Sequence, residues 1–149
     1  MSTKSILLVE DNLDDADLAL RALRTGRVPG EVVVTHDGVE ALEYLFGVGA
    51  YAGRDLRAMP ACLLLDLKLP KLDGLEVLRR VRADSRTRLI PTVILTASCE
   101  PQDIRAAYRL GANSYICKPV DISRFADIVR QIGHYWLNLN ELPLLEGSL

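Results

Sequence analysis

Ala61-Cys62-Leu63-Leu64-Leu65-Asp66 runs apolar for five positions and then stops on a carboxylate. Five residues are too few for a helix of ordinary length but suit one strand. A strand apolar at every position, instead of alternating, needs cover on both faces, which points to a parallel sheet between helices. Similar short runs recur at Ser5–Val9, Glu31–Thr35, Thr92–Leu95 and Ser114–Cys117. Apolar residues at three- and four-residue steps lie between them: Ala16, Ala19, Leu20, Leu23; Ala41, Leu42, Leu45; Leu75, Leu78, Val81; and Ile104, Ala107, Tyr108. A last set follows at Ile122, Phe125, Val129 and Ile132. This alternation predicts five βα units, an α/β fold with a doubly wound (βα)5 sheet. Asp37 and Asp121 are expected to cap the second and fifth helices. Gly26 and Gly111 are expected to end the first and fourth, in the left-handed conformation that glycine adopts at least cost.

The chain has 149 residues, 49% hydrophobic and 26% charged, and fits one domain without a disulfide or metal staple. A net charge of -2 argues against a nucleic-acid surface. The apolar runs are too short to span a membrane, and Ile6–Val9 is too short for a signal peptide. Cys62, Cys99 and Cys117 are odd in number and lack C-x-x-C spacing, and two lie in apolar runs. They are read as buried reduced thiols, with the cytoplasm as the expected location. Gly47 to Pro60 is an extra loop before the third strand. Its Gly47-Val48-Gly49-Ala50-Tyr51-Ala52-Gly53 follows a helix and has the wrong spacing for a dinucleotide loop, so it reads as surface.

Ligands of open parallel sheets bind at the carboxyl ends of the strands. The first strand ends in Glu10-Asp11, the third in Asp66, the fourth in Thr96 and the fifth in Lys118-Pro119. The second ends in Thr35-His36-Asp37 and offers no matching group. Three carboxylates held close repel one another, and a hard divalent cation removes that cost. Mg2+ suits a few carboxylates with phosphate oxygens. A carboxylate can itself attack phosphorus to give an aspartyl phosphate, with an ammonium and a hydroxyl neutralising the phosphoryl oxygens.

Leu7-Leu8-Val9-Glu10-Asp11-Asn12, Leu64-Leu65-Asp66-Leu67-Lys68-Leu69-Pro70, Val93-Ile94-Leu95-Thr96-Ala97 and Tyr115-Ile116-Cys117-Lys118-Pro119 resemble the four signature segments of response-regulator receiver domains. The resemblance spans residues 5 to 133. It implies a flavodoxin/CheY-like sheet of order 2-1-3-4-5, with Asp66 as phosphoacceptor. Glu10, Asp11, Asp66 and the backbone carbonyl of Lys68 would hold Mg2+. Thr96 and Lys118 would contact the phosphoryl group, and Tyr115 would be the aromatic switch; an ordinary half-buried strand tyrosine is the other reading. The resemblance also implies a cis peptide bond before Pro119 and a lifetime-tuning position at Lys68 and at Ser98. Asn12 reads either as a helix cap or as a water-mediated metal contact. The segments around Tyr44 and Tyr51 are similar to those of single-domain regulators partnered with bacterial phytochrome kinases. A histidine kinase is therefore the implied partner, and the chain is expected to be a phosphoacceptor and not an enzyme. An aspartyl phosphatase would carry an acid where Lys68 stands, and a degenerate receiver would lack part of the acid, hydroxyl and lysine set.

His36 and His134 read as surface or packing residues, and Arg79-Arg80-Val81-Arg82 as the solvated face of a helix. Residues 1–133 are assigned to the receiver and 134–149 to an apolar tail, Tyr135-Trp136-Leu137-Asn138-Leu139-Asn140-Glu141-Leu142-Pro143-Leu144-Leu145. Such a tail either folds back on its own domain or forms a dimerisation arm with the last helix of a second copy.

Overall fold

A computed structural model of the chain describes residues 4–143. Five strands, β1 (Ser5–Val9), β2 (Glu31–Thr35), β3 (Cys62–Leu65), β4 (Thr92–Thr96) and β5 (Ser114–Cys117), form one parallel sheet ordered β2-β1-β3-β4-β5. Five helices connect or follow them: α1 (Leu13–Thr25), α2 (Gly38–Phe46), α3 (Gly74–Ala83), α4 (Pro101–Arg109) and α5 (Ile122–His134). The sheet order and the doubly wound architecture match the expectation.

The pleat sorts the uniformly apolar strands into two cores. Ile6, Leu8, Cys62, Leu64, Val93 and Leu95 point to the side covered by α1 and α5. Leu7, Val9, Leu63, Leu65 and Ile94 point to the side covered by α2, α3 and α4. Every side chain of β1 and β3 is buried, so the all-apolar pattern of the central strands follows from their two-sided cover. The helices are not held equally. Whereas α3 buries Val77, Leu78 and Val81, α4 buries Ala107 alone, and Tyr108, expected on its inner face, is exposed.

Four helices begin with a side-chain cap: Asn12, Asp37, Asp73 and Asp121 each accept from the backbone N–H three residues on. Asn12 is thereby placed as a cap. The glycine stops differ from expectation at the first helix. Gly111 is left-handed at φ 102°, but Gly26 is right-handed at φ -77°, and Arg27 takes the positive φ instead. Packing accounts for Gly26, because a Cβ there would lie 2.6 Å from the Arg130 side chain of α5.

The arginine cluster of α3 is also divided. Arg79 and Arg80 pair with Glu76 on the solvated face, as expected. Arg82 is half-buried and donates to the carbonyls of Ile90 and Gly111 and to Asn113 Oδ1, tying α3 to the loops flanking β4 and β5. The Gly47 to Pro60 loop is surface, yet pinned: Arg54 donates to Tyr44 O at 2.6 Å over the Tyr44 ring, and Tyr51 donates to Glu40 Oε2.

Past α5 the chain continues as a π-helical stretch, Tyr135–Leu139. Leu137 is 5% exposed and packs into the α1/α5 core with Trp136 and Leu142 beside it. The near half of the tail therefore folds back on its own domain, while Tyr135 and Leu139 remain 48% and 69% exposed. Leu144 and Leu145, the end of the apolar tail, lie outside the described residues. Leu137→Ala is expected to lower the unfolding free energy by about 2–4 kcal/mol, through lost burial and the cavity left behind. Leu139→Ala is expected to change it by less than about 0.5 kcal/mol. Urea unfolding of both variants checks this, and equal losses would contradict the docking of Leu137.

Candidate functional site

Register builds the site. Val9 pairs with Leu65, so the next residues, Glu10 and Asp66, leave the central strands side by side. Thr96 pairs with Cys117, so Lys118 leaves β5 beside the end of β4. Ladder hydrogen bonds carry on past the strand ends, from Asp66 N to Val9 O and from Lys118 N to Thr96 O. The strand order reverses between β1 and β3, so these groups meet at the edge where open α/β sheets take their ligands.

Glu10 and Asp66 are 3% and 6% exposed, which makes their charges costly unless they are paired. Lys118 Nζ supplies the pairing. It stands 2.6 Å from Glu10 Oε1, 2.9 Å from Asp66 Oδ2 and 3.1 Å from Asp15 Oδ2. The other Asp66 oxygen accepts from Thr96 Oγ1 at 2.7 Å and from Lys68 N at 3.1 Å. Glu10 Oε2 accepts from Asn12 N at 3.1 Å. Among the described residues no buried side-chain N or O atom lacks a partner.

Burial pushes the Glu10 carboxyl up to about 7, against the opposing pull of Lys118 and with Asp66 adding to the rise. Burial alone would lower the Lys118 ammonium, but its hydrogen bonds to Glu10 and Asp66 prevail and raise it. One oxygen from each of Glu10, Asp11 and Asp66 lies within 4.8 Å of the others, so these three fit a hard divalent cation. Asp11 is exposed, which leaves that side of the cluster open.

A second set of contacts leads outward from Thr96. Tyr115 is half-buried against the α2/α3/α4 core and donates from its hydroxyl to Ser98 O at 2.8 Å. Ser98 Oγ donates to Asp103 Oδ2 at 2.5 Å, and Lys68 Nζ lies 3.7 Å from the same carboxylate. Gly74 opens α3 against the end of β3, where a Cβ would sit 2.3 Å from Asp66 O. His36 and His134 bond carbonyls through ring nitrogens, of Glu10 and Gly26 respectively, as packing residues do.

Every residue expected at the strand ends is thus brought to one edge, and two expectations need correction. Among the described residues there is no cis peptide bond, so the bond before Pro119 is trans. Only Cys62 is the buried free thiol that was expected. Cys99 is exposed and Cys117 half-buried, and the two stand close, with Cα atoms 5.7 Å apart, because the turn after β4 brings Cys99 back over the end of β5. Asp15 was missed. It lies in the first turn of α1 beside Asp14, three residues after the cap Asn12, and nothing in the chain sets it apart from that neighbouring acid.

Residues 6–130 match the family of the response regulator receiver domain, and the chain belongs to that family, as a signalling protein of two-component systems. It is 41% identical, over 93% of its length and 86% of the relative, to the probable methanogenesis regulatory protein FilR2 of Methanothrix harundinacea. It is 36% identical to the response regulator Rcp1 of Synechocystis sp. over 94% of this chain and 93% of Rcp1. The Mn(2+)-bound form of Rcp1 superposes with a TM-score of 0.87 at 35% identity, covering 95% of this chain and 99% of that one. The phosphorylated cyanobacterial phytochrome response regulator RcpA is similar with a TM-score of 0.88 and 42% identity, over 96% of this chain and all of RcpA.

A cation needs Glu10 ionised, so below about pH 7 binding must expel a proton. Divalent-ion affinity is therefore expected to rise with pH up to about 7 and level off above it, and not near 4.5 as for an ordinary glutamate. Calorimetric titration with Mg2+ at pH 5 to 8, roughly tenfold per unit at most, checks this. Glu10→Gln should flatten the slope, and a slope unchanged in that variant would rule out Glu10 as its source.

Proposed function

We propose that this chain is a stand-alone response regulator that accepts a phosphoryl group from a histidine kinase on Asp66. The observation that carries the proposal is the setting of that carboxylate: buried at a strand end, with Thr96 and Lys118 hydrogen-bonded to its two oxygens. An Asp66 oxygen attacks phosphorus as the phosphoryl bond to the kinase histidine breaks. The donors that now hold Asp66 turn to the phosphoryl oxygens, Lys118 by its ammonium and Thr96 by its hydroxyl. Asp15 keeps a carboxylate on Lys118 while that exchange takes place. Mg2+, held by Glu10, Asp11, Asp66 and the Lys68 carbonyl, would neutralise charge on the phosphoryl group.

Thr96 is also the start of the signal. Its movement toward the phosphoryl group would draw on the β4–α4 loop, where Tyr115 holds Ser98 O. With α4 buried through Ala107 alone, that surface can be repositioned at low cost. A phytochrome-type kinase is the partner that the similarity to RcpA and Rcp1 supports, with the cytoplasm as the location. The receiver is proposed to occupy residues 1–133, with 134–149 as an arm.

Incubation with acetyl phosphate and Mg2+, followed by intact-mass measurement, tests the acceptor. Wild type should gain one phosphoryl group and Asp66→Asn none; equal labelling would overturn the assignment.

Exposed Tyr135 and Leu139 next to α5 support a homodimer through the last helix and tail. The Tyr135→Ser, Leu139→Ser double variant spares the docked Leu137. Light scattering after size-exclusion chromatography should give a dimer for wild type and a monomer for the variant. A monomeric wild type, or an unchanged variant, would sink the dimer.

A further inference from the structure

We propose that Cys99 and Cys117 form a reversible thiol–disulfide modification site, oxidised by low-molecular-weight disulfides, that staples the β4–α4 loop over the end of β5. Two features of the backbone place it. Cys117 is the register partner of Thr96, the last residue of β4. The chain then turns, and Cys99 returns over that pair with a Cα–Cα distance of 5.7 Å, inside the roughly 4.4–6.8 Å that a disulfide spans.

Access and location distinguish this pair from a structural crosslink. Cys99 is exposed, so a reagent reaches it, and half-buried Cys117 lies behind it as the resolving thiol. Cys62 is fully buried, and its thiol is pushed well above the ordinary range by burial, which removes it from exchange. The bond joins no two core elements. It closes a short segment, 18 residues apart in sequence, at a sheet edge whose neighbouring cores are already filled. In a reducing compartment such a pair is transient and reports redox state.

The exchange balances in two steps. The Cys99 thiolate attacks one sulfur of the small disulfide, forming a mixed disulfide and releasing one thiolate. The Cys117 thiolate then attacks Cys99 Sγ and releases the second. The protein loses two protons to solvent, and two electrons end on the reagent's two sulfurs.

The loop so fixed contains Ser98, the acceptor of the Tyr115 hydroxyl. Oxidation would hold that carbonyl in place and keep Tyr115 bonded to it. Formation of the bond stands independently of the phosphoacceptor reading; only the consequence for signalling rests on it.

The full chain is equilibrated with oxidised or with reduced glutathione, denatured, alkylated and weighed. Wild type should show three alkylated cysteines when reduced and one, Cys62, when oxidised, with peptide mapping placing the bond between Cys99 and Cys117. Three alkylated cysteines in both states, or a bond involving Cys62, would overturn the site. In the folded, unphosphorylated chain, amide exchange at residues 97–100 should slow about tenfold on oxidation. Cys99→Ser, a change at an exposed position, should exchange equally fast in both states. Equal exchange in oxidised and reduced wild type would overturn the staple. Neither measurement uses phosphorylation, so their failure is separate from any failure of Asp66 to be labelled.

Discussion

One ammonium holds the functional edge of this protein together. Glu10 and Asp66 leave neighbouring strands at almost complete burial, and in that setting two carboxylates could not both be charged without a counter-ion. Lys118 reaches both within hydrogen-bond distance from the far strand of the sheet and finds Asp15 as a third partner. The pairing is one-sided, because Asp11 faces solvent and contributes an acid that Lys118 does not bind. Asp11 is left over on the open side, where with Glu10 and Asp66 it fits a divalent cation, and the Lys118 ammonium stands on the closed side. This division of charge gives the edge its chemistry.

Asp66 also joins that charge cluster to the least buried helix of the fold. One oxygen belongs to Lys118, and the other takes Thr96 and the Lys68 amide. Anything added to Asp66 must displace these donors, and Thr96 is the last residue of β4. Two residues on, Ser98 is held by Tyr115 from β5, and Cys99 meets Cys117. The α4 that follows is the helix with the least buried surface residues, Ala107 alone. Tight packing at the cluster and loose packing one helix away is the arrangement in which a local charge change can move a surface.

Much of this was legible in the chain. Leu63-Leu64-Leu65 followed by Asp66 announced both the central strand and the carboxylate at its end, because two-sided cover of this strand leaves the polar residue to the point where the strand stops. Glu10, Asp11, Thr96 and Lys118 could be found the same way. Asp15 could not be separated from the other acids of the first helical turn, since its role depends on Lys118 arriving from 103 residues away. Arg82 read as one of three solvated arginines, and only the carbonyls of Ile90 and Gly111 distinguish it. The tail's apolar density was plain, but which residue docks was not: Leu137 is buried and Leu139, two residues on, is exposed.

By itself the sequence determined the elements, their two-sided burial and the chemical groups at the strand ends, because each follows from local periodicity and from where an apolar run stops. Tertiary structure decided the pairings. Parallel neighbours are distant in the chain, so the meeting of Lys118 with Glu10, Asp15 and Asp66 depends on strand order and register. The same holds for Cys99 and Cys117, which no spacing rule marks as partners and which meet only because the turn after β4 folds back across the end of β5.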